Sequence, residues 1–153
     1  MFQKIISGGQ TGVDRAALDV ALELGFPCGG WCPKGRRAED GVIPDRYPLQ
    51  ETSSADYRVR TEKNVEESDG TLVLGWGAPT GGTALTLKLA RRHQKPSFLV
   101  DLVHEGEASI VRKWGRIKKI RILNVAGPRE SEAPGIHARA LSFLKEVLGR
   151  EGC

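Results

Sequence analysis

Three times along this chain a short apolar run stops at a cluster of glycines and polar residues, and helix-period apolar spacing starts just beyond it. Lys4-Ile5-Ile6-Ser7 meets Gly8-Gly9-Gln10-Thr11-Gly12, after which Val13, Ala16, Ala17, Val20, Ala21 and Leu24 recur at helical spacing. Thr71-Leu72-Val73-Leu74 meets the glycine-rich stretch 75–83, and a helix follows from Ala84 to about His93. Ile120 to Val125 meets 126–131, and a helix follows from about Pro134 to Leu148. A further strand is predicted at Ser97 to Val100, and further helices at Thr61 to Asp69 and over 105–118. Strands of four to six residues alternating with longer helices predict an α/β fold, with a mainly parallel sheet and helices on both faces. The 153 residues suit one domain, 1–153.

In such a sheet, ligands sit beyond the carboxyl ends of the strands, so the three glycine loops are expected to converge on one site. Glycine lets backbone amides approach an anion without a Cβ in the way, and a helix N-terminus adds partial positive charge. Gly8, Gly9, Gln10, Thr11 and Gly12, with Asp14 in the first helical turn, therefore read as a phosphate loop; the alternative is a tight turn capped by Thr11. The spacing matches neither Gly-x-Gly-x-x-Gly nor the P-loop. Thr80, Gly81, Gly82 and Thr83 form a second candidate, their amides and hydroxyls suited to an oxyanion or a ribose. In the third loop Gly127, Arg129 and Ser131 offer close approach, a planar guanidinium and a hydroxyl, with a solvated arginine as the plainer alternative.

Residues 27–60 lack periodicity and hold four of the eight prolines, a length that suggests a functional loop. Within it Lys34, Arg36 and Arg37 can close over an anion while Trp31 stacks on the ligand or packs in the core. The formal charge of +4 is compatible with an anionic ligand. The basic run from Arg112 to Arg121 surrounds Trp114, but Ile117, Ile120 and Ile122 read as buried, which disfavours nucleic acid as a partner. Cys28, Cys32 and Cys153 are too few for a disulfide framework, and no metal-ligand set is assigned: the two nearer cysteines lack a second pair at zinc spacing, and His93, His104 and His137 are isolated in sequence. No apolar stretch is long enough to span a membrane and no signal-peptide pattern opens the chain, so a cytoplasmic location is expected.

Taken together, several longer motifs resemble a known family. They are Gly8 to Asp19, Gly29-Gly30-Trp31-Cys32-Pro33-Lys34-Gly35-Arg36-Arg37-Ala38-Glu39-Asp40-Gly41, Arg60-Thr61 with Asn64-Val65, Ser68 to Thr71, Gly81-Gly82-Thr83 and Asn124 to Arg129. Over about residues 3 to 137 they look like the signature of the molybdenum carrier family, a circularly permuted branch of the LOG-like, or lysine-decarboxylase-like, Rossmannoid superfamily. The resemblance implies a Rossmann-like three-layer sandwich. It also implies a carrier that holds molybdenum cofactor, a phosphorylated pterin, or a nucleotide at the carboxyl edge of the sheet, with molybdoenzymes as recipients and a homo-oligomeric state. The related LOG enzymes cleave nucleoside monophosphates to base and ribose phosphate, using a Pro-Gly-Gly-x-Gly-Thr-x-x-Glu loop. Here the loop has one glycine fewer and Thr86 where the acid is sought, so a binding role is favoured over hydrolysis unless Asp14, Glu39, Asp40 or Glu130 supplies the carboxylate.

Overall fold

The computed structural model describes residues 1–104 and 108–149. The start of the helix predicted over 105–118 and Cys153 lie outside the described residues. Five strands form one parallel sheet: β1 (Lys4–Ile6), β2 (Cys28–Gly29), β7 (Gly70–Gly75), β8 (Ser97–Asp101) and β9 (Ile122–Ala126), in the order β2-β1-β9-β7-β8. Helices α1 (Val13–Leu24), α4 (Ala108–Ile117) and α5 (Ile136–Leu148) cover one face, and α2 (Tyr57–Glu67) and α3 (Gly81–Arg92) cover the other. The α/β class and the layering are those expected from the sequence.

Strand alternation decides where the core sits. Ile5, Leu72, Leu74, Leu123 and Val125 point to one face and pack with the apolar stripes of α1, α4 and α5. The opposite face of the same strands is partly polar: Thr71 and Asn124 are buried there, and Asn124 Nδ2 donates to Thr71 Oγ1 at 3.2 Å. That face carries a smaller apolar cluster, Val65 of α2 against Leu89 and Ala90 of α3.

Helix boundaries follow caps. Gly25 ends α1 in the left-handed conformation at φ 76°, which glycine adopts without a Cβ clash, and its N–H donates to Ala21. Helix α2 starts at Tyr57, four residues before the predicted Thr61, because the Asp56 carboxylate accepts from the Arg58 amide at 2.9 Å and caps a polar first turn that apolar periodicity does not reveal. Helix α3 starts at Gly81 rather than Ala84, its first turn hidden by two poor helix formers. Ile120 lies before β9 rather than in it, buried against the space left by Gly70. Ile122 is half-buried, and Ile117 is 64% exposed, contrary to its expected burial.

The stretch expected to be irregular, 27–60, is built of two-residue pairings. Strand β3 (Trp31–Cys32) pairs in parallel with β6 (Gln50–Glu51), and β4 (Arg37–Ala38) forms a hairpin with β5 (Gly41–Val42). A second small core, Leu18, Cys32, Ile43 and Tyr47, sits beneath it.

The strand order has a topological reading. If the segment carrying β1 and β2 followed β9 instead of preceding β7, the strands would run 2-1-3-4-5, the order of a doubly wound nucleotide-binding sheet. The chain is a circular permutation of that arrangement, and its switch point falls between the carboxyl ends of β7 and β9.

Candidate functional site

A cleft of about 290 Å³ opens at that switch point. Its walls are the start of α2 (Asp56, Tyr57, Arg58, Arg60, Thr61), the start of α3 (Gly82, Thr83, Leu85, Thr86) and the loop after β9 (Gly127, Pro128, Arg129, Glu132); Gln10 and Asp14 come from the loop after β1. Around the N-terminus of α3 it adjoins a pocket of about 80 Å³ bordered by Trp76 and Leu99.

Of the three glycine loops, the second is open toward a ligand. Thr80 caps α3 through its carbonyl, which accepts from Thr83 and Ala84, while its side chain makes no cap. The amides of Gly81 and Gly82 have no acceptor, and no atom lies within 4 Å of where a Cβ would stand on either. These are free donors at a helix N-terminus, the arrangement that suits an oxyanion. The Thr83 and Thr86 side chains are buried in the wall, and Thr86 Oγ1 donates back to Gly82 O at 2.9 Å.

The first loop is not the open cradle that its glycines suggest. The Gln10 amide donates to Asp14 Oδ2 at 3.3 Å, Thr11 N to Gln10 Oε1 at 3.1 Å, Val13 N to Pro128 O at 3.3 Å and Arg15 N to Gln10 O at 3.0 Å. Its glycines serve packing instead: a Cβ on Gly12 would strike the Pro128 carbonyl, one on Gly9 would strike Leu49, and one on Gly8 would occupy the place of the Arg60 guanidinium. A Cβ on Gly127 would likewise meet the Leu74 carbonyl and Val13. Gly12 and Gly127 thus let the β1 and β9 loops pack together and against β7, while Gly8 and Gly9 make room for α2 and the 27–60 stretch.

The β4–β5 hairpin latches the same loops. Glu39 accepts from the hydroxyl of Thr11, and from Ser131 through Oγ at 2.5 Å and N at 3.2 Å; Asp40 pairs with Arg15 at 2.7 Å. Thr11 and Ser131, both expected at the ligand, are therefore held by Glu39. Glu130 is also spent, accepting the Gly135 and His137 amides at the start of α5. Among the four candidate carboxylates, only Asp14 reaches the cleft.

The cationic loop lies away from this cleft. Arg36 donates to four main-chain carbonyls, those of Ile43, Pro44, Tyr47 and Leu49, at 2.8–3.2 Å, and so clamps its own loop. Lys34 and Arg37 are exposed and line no part of the cleft. Trp31 is half-buried, donates from its indole N–H to Glu67, and lies under Lys63 at 4.5 Å, so it neither stacks over the cleft nor joins the core. Cys32 is fully buried, and desolvation pushes its thiol above the usual cysteine range.

Three arginines line the cleft, the exposed Arg58 at its rim and Arg60 and Arg129. The side chain of Arg60 is 14% exposed; Nη1 donates to Asp14 Oδ2 only at 3.5 Å and to Thr61 Oγ1 at 3.3 Å, and its buried Nε has no hydrogen-bond partner. Both guanidinium groups approach the Tyr57 ring, at 5.3 Å for Arg60 and 5.9 Å for Arg129. Arg129 Nε also pairs with Glu132 at 3.0 Å. Asp14 lines the same cleft and is 3% exposed. Desolvation raises its carboxyl from 3.8 to about 6; Arg60, the Gln10 amide and Arg15 act in the opposite direction, but burial outweighs them. Arg60 and Tyr57 are absent from the residues singled out by loop chemistry, although Arg60-Thr61 belongs to the motifs that carry the family resemblance.

Three comparisons bear on this geometry. The profile of the circularly permutated YpsA SLOG family matches residues 5–148. A crystal structure named "Putative molybdenum carrier protein", from Syntrophus aciditrophicus SB, superposes with a TM-score of 0.94 at 46% identity, covering 96% of this chain and 95% of that one. No curated protein matches the chain.

Proposed function

The chain belongs to the circularly permutated YpsA SLOG family, and from that premise we propose that it is a molybdenum cofactor carrier whose switch-point cleft holds the phosphorylated pterin. The observation that carries this reading is an under-bonded Arg60, its Nε buried without a partner, in the wall of the cleft that Gly82 also lines at the start of α3, where the amides of Gly81 and Gly82 are free. The α3 N-terminus takes the phosphate, and Arg60 and Arg129 neutralise the rest of its charge. The Asp14 carboxyl, protonated about half the time near pH 6, exchanges hydrogen bonds with the amide-like edge of the ring. At about 290 Å³ the cleft is at the lower end of the roughly 300–1,000 Å³ typical of small-ligand sites, which favours a single pterin or mononucleotide over a dinucleotide form. The name of the 46%-identical structure, a molybdenum carrier, supports a molybdenum-related ligand.

Isothermal titration with molybdenum cofactor and with nucleoside monophosphates tests the proposal. Binding of the pterin with a stoichiometry of one, lost in Arg60→Ala, is the expected result; no binding of either class overturns it.

A second reading rests on a separate observation, the raised Asp14 carboxyl. A carboxyl that still holds its proton about half the time near pH 6, beside an anion site, is placed to protonate a leaving base, which is what N-glycosidic hydrolysis of a nucleotide requires. Release of free base from a nucleoside monophosphate, abolished by Asp14→Asn, would establish the hydrolase; binding without release leaves the carrier.

A further inference from the structure

On the helical face behind the cleft, a histidine and two glutamates from two helices bring three donor atoms together. Glu62 and Glu66 lie one turn apart on α2, and His93 caps the C-terminal end of α3. One donor atom from each side chain lies within 4.8 Å of the others. His93 Nε2 is 3.4 Å from Glu62 Oε1 and 3.6 Å from Glu66 Oε1. A direct charge-assisted hydrogen bond closes to about 2.7–2.9 Å, and neither contact does so. A tetrahedral ion bound at about 2.0–2.1 Å instead holds its ligand atoms roughly 3.3–3.4 Å apart, and His93 Nε2 stands at or just beyond that spacing from both carboxylates, whose donor atoms all lie within 4.8 Å of one another.

We propose that Glu62, Glu66 and His93 form a binding site for a divalent first-row transition ion of the zinc class. Two carboxylates and a neutral imidazole balance the ion's charge, and one imidazole with two oxygen donors suits such an ion better than magnesium or calcium. The site is braced from within, because Val65 lies on the same helix as the glutamates and packs against Leu89 and Ala90, just before His93. The carbonyl end of α3 adds favourable partial negative charge. All three side chains remain partly exposed, at 27% for His93, 34% for Glu62 and 47% for Glu66, so an ion can enter and keep a water in its fourth position. Binding would staple α2 to α3, the two helices whose other ends wall the cleft.

The test is titration of the full chain with zinc by calorimetry, with cobalt(II) as a spectroscopic substitute. One ion should bind per chain, Tm should rise with zinc, and His93→Ala and Glu62→Gln should each weaken binding at least about tenfold. Both variants should keep the zinc-free Tm and circular dichroism of the parent, since the residues are at the surface. The cobalt spectrum should show nitrogen and oxygen ligation. A thiolate-to-cobalt charge-transfer band, assigning the ion to a cysteine, overturns the proposal. So does parental affinity in His93→Ala, or no binding at roughly millimolar zinc.

Discussion

Burial of Asp14 exchanges a proton between the folded and unfolded chain over a definite pH window. Below about pH 4 both states hold the proton; between 3.8 and about 6 the unfolded carboxyl ionises while the folded one stays protonated. Stability therefore falls as pH rises through that window, by about 3 kcal/mol at most once pH exceeds 6. Asp14→Asn is expected to exceed the parent by about 1–3 kcal/mol in urea denaturation at pH 8 and to match it at pH 4, and an equal gap at both pH values would contradict the burial argument. Gly8 presents a second case. Its backbone is not in the left-handed region, and the atoms a Cβ would meet belong to the flexible end of Arg60. Gly8→Ala should thus change stability by less than about 1 kcal/mol yet push the guanidinium away from Asp14. Calorimetry should then find ligand affinity lowered at least about tenfold, as for Arg60→Ala; parental affinity would show that Arg60 does not touch the ligand.

At the scale of elements, the β4–β5 hairpin acts as a latch that holds the loops after β1 and β9 against each other. Small desolvation pushes the Glu39 carboxyl up, but the bonds from Ser131 and Thr11 prevail and hold it below the usual glutamate range. The contacts are largely exposed, so their net worth is modest. Glu39→Ala is expected to lower Tm by a few degrees and to speed amide hydrogen exchange in 8–12, 37–42 and 127–131, while the first turn of α3 exchanges as before. Faster exchange at Gly81 and Gly82 as well would mean that the anion site depends on the latch. The element scale also explains why the hairpin was illegible in sequence: strands of two residues carry no periodicity, and what fixes them is the second core at Leu18, Cys32, Ile43 and Tyr47 together with the Arg36 clamp.

At the scale of the whole molecule, β8 lies at an edge of the sheet and carries the exposed apolar Leu99. We propose that this side is buried between copies of the chain. Light scattering should give a dimer or higher oligomer, Leu99→Lys should release the monomer, and a monomeric parent would exclude the interface. No helix among the described residues is long and apolar enough to cross a membrane. Four of the five sheet strands, with their glycine loops and helices, were legible in the sequence, as were the buried faces of α1 and those strands and the stop at Gly25, because periodicity and helix-ending glycine act between residues a few positions apart; β2, two residues long, was not. Family motifs extended that reading to the cleft's own Arg60-Thr61. Which glycine loop stays open was decided only in three dimensions. Thr11 meets Glu39 across 28 positions, Ser131 meets it across 92, and Arg60 meets Asp14 across 46. An amide or a guanidinium is available to a ligand only when no distant partner has taken it, and a carboxyl keeps its proton only when the packed fold removes its water; both depend on neighbours brought together by the tertiary structure.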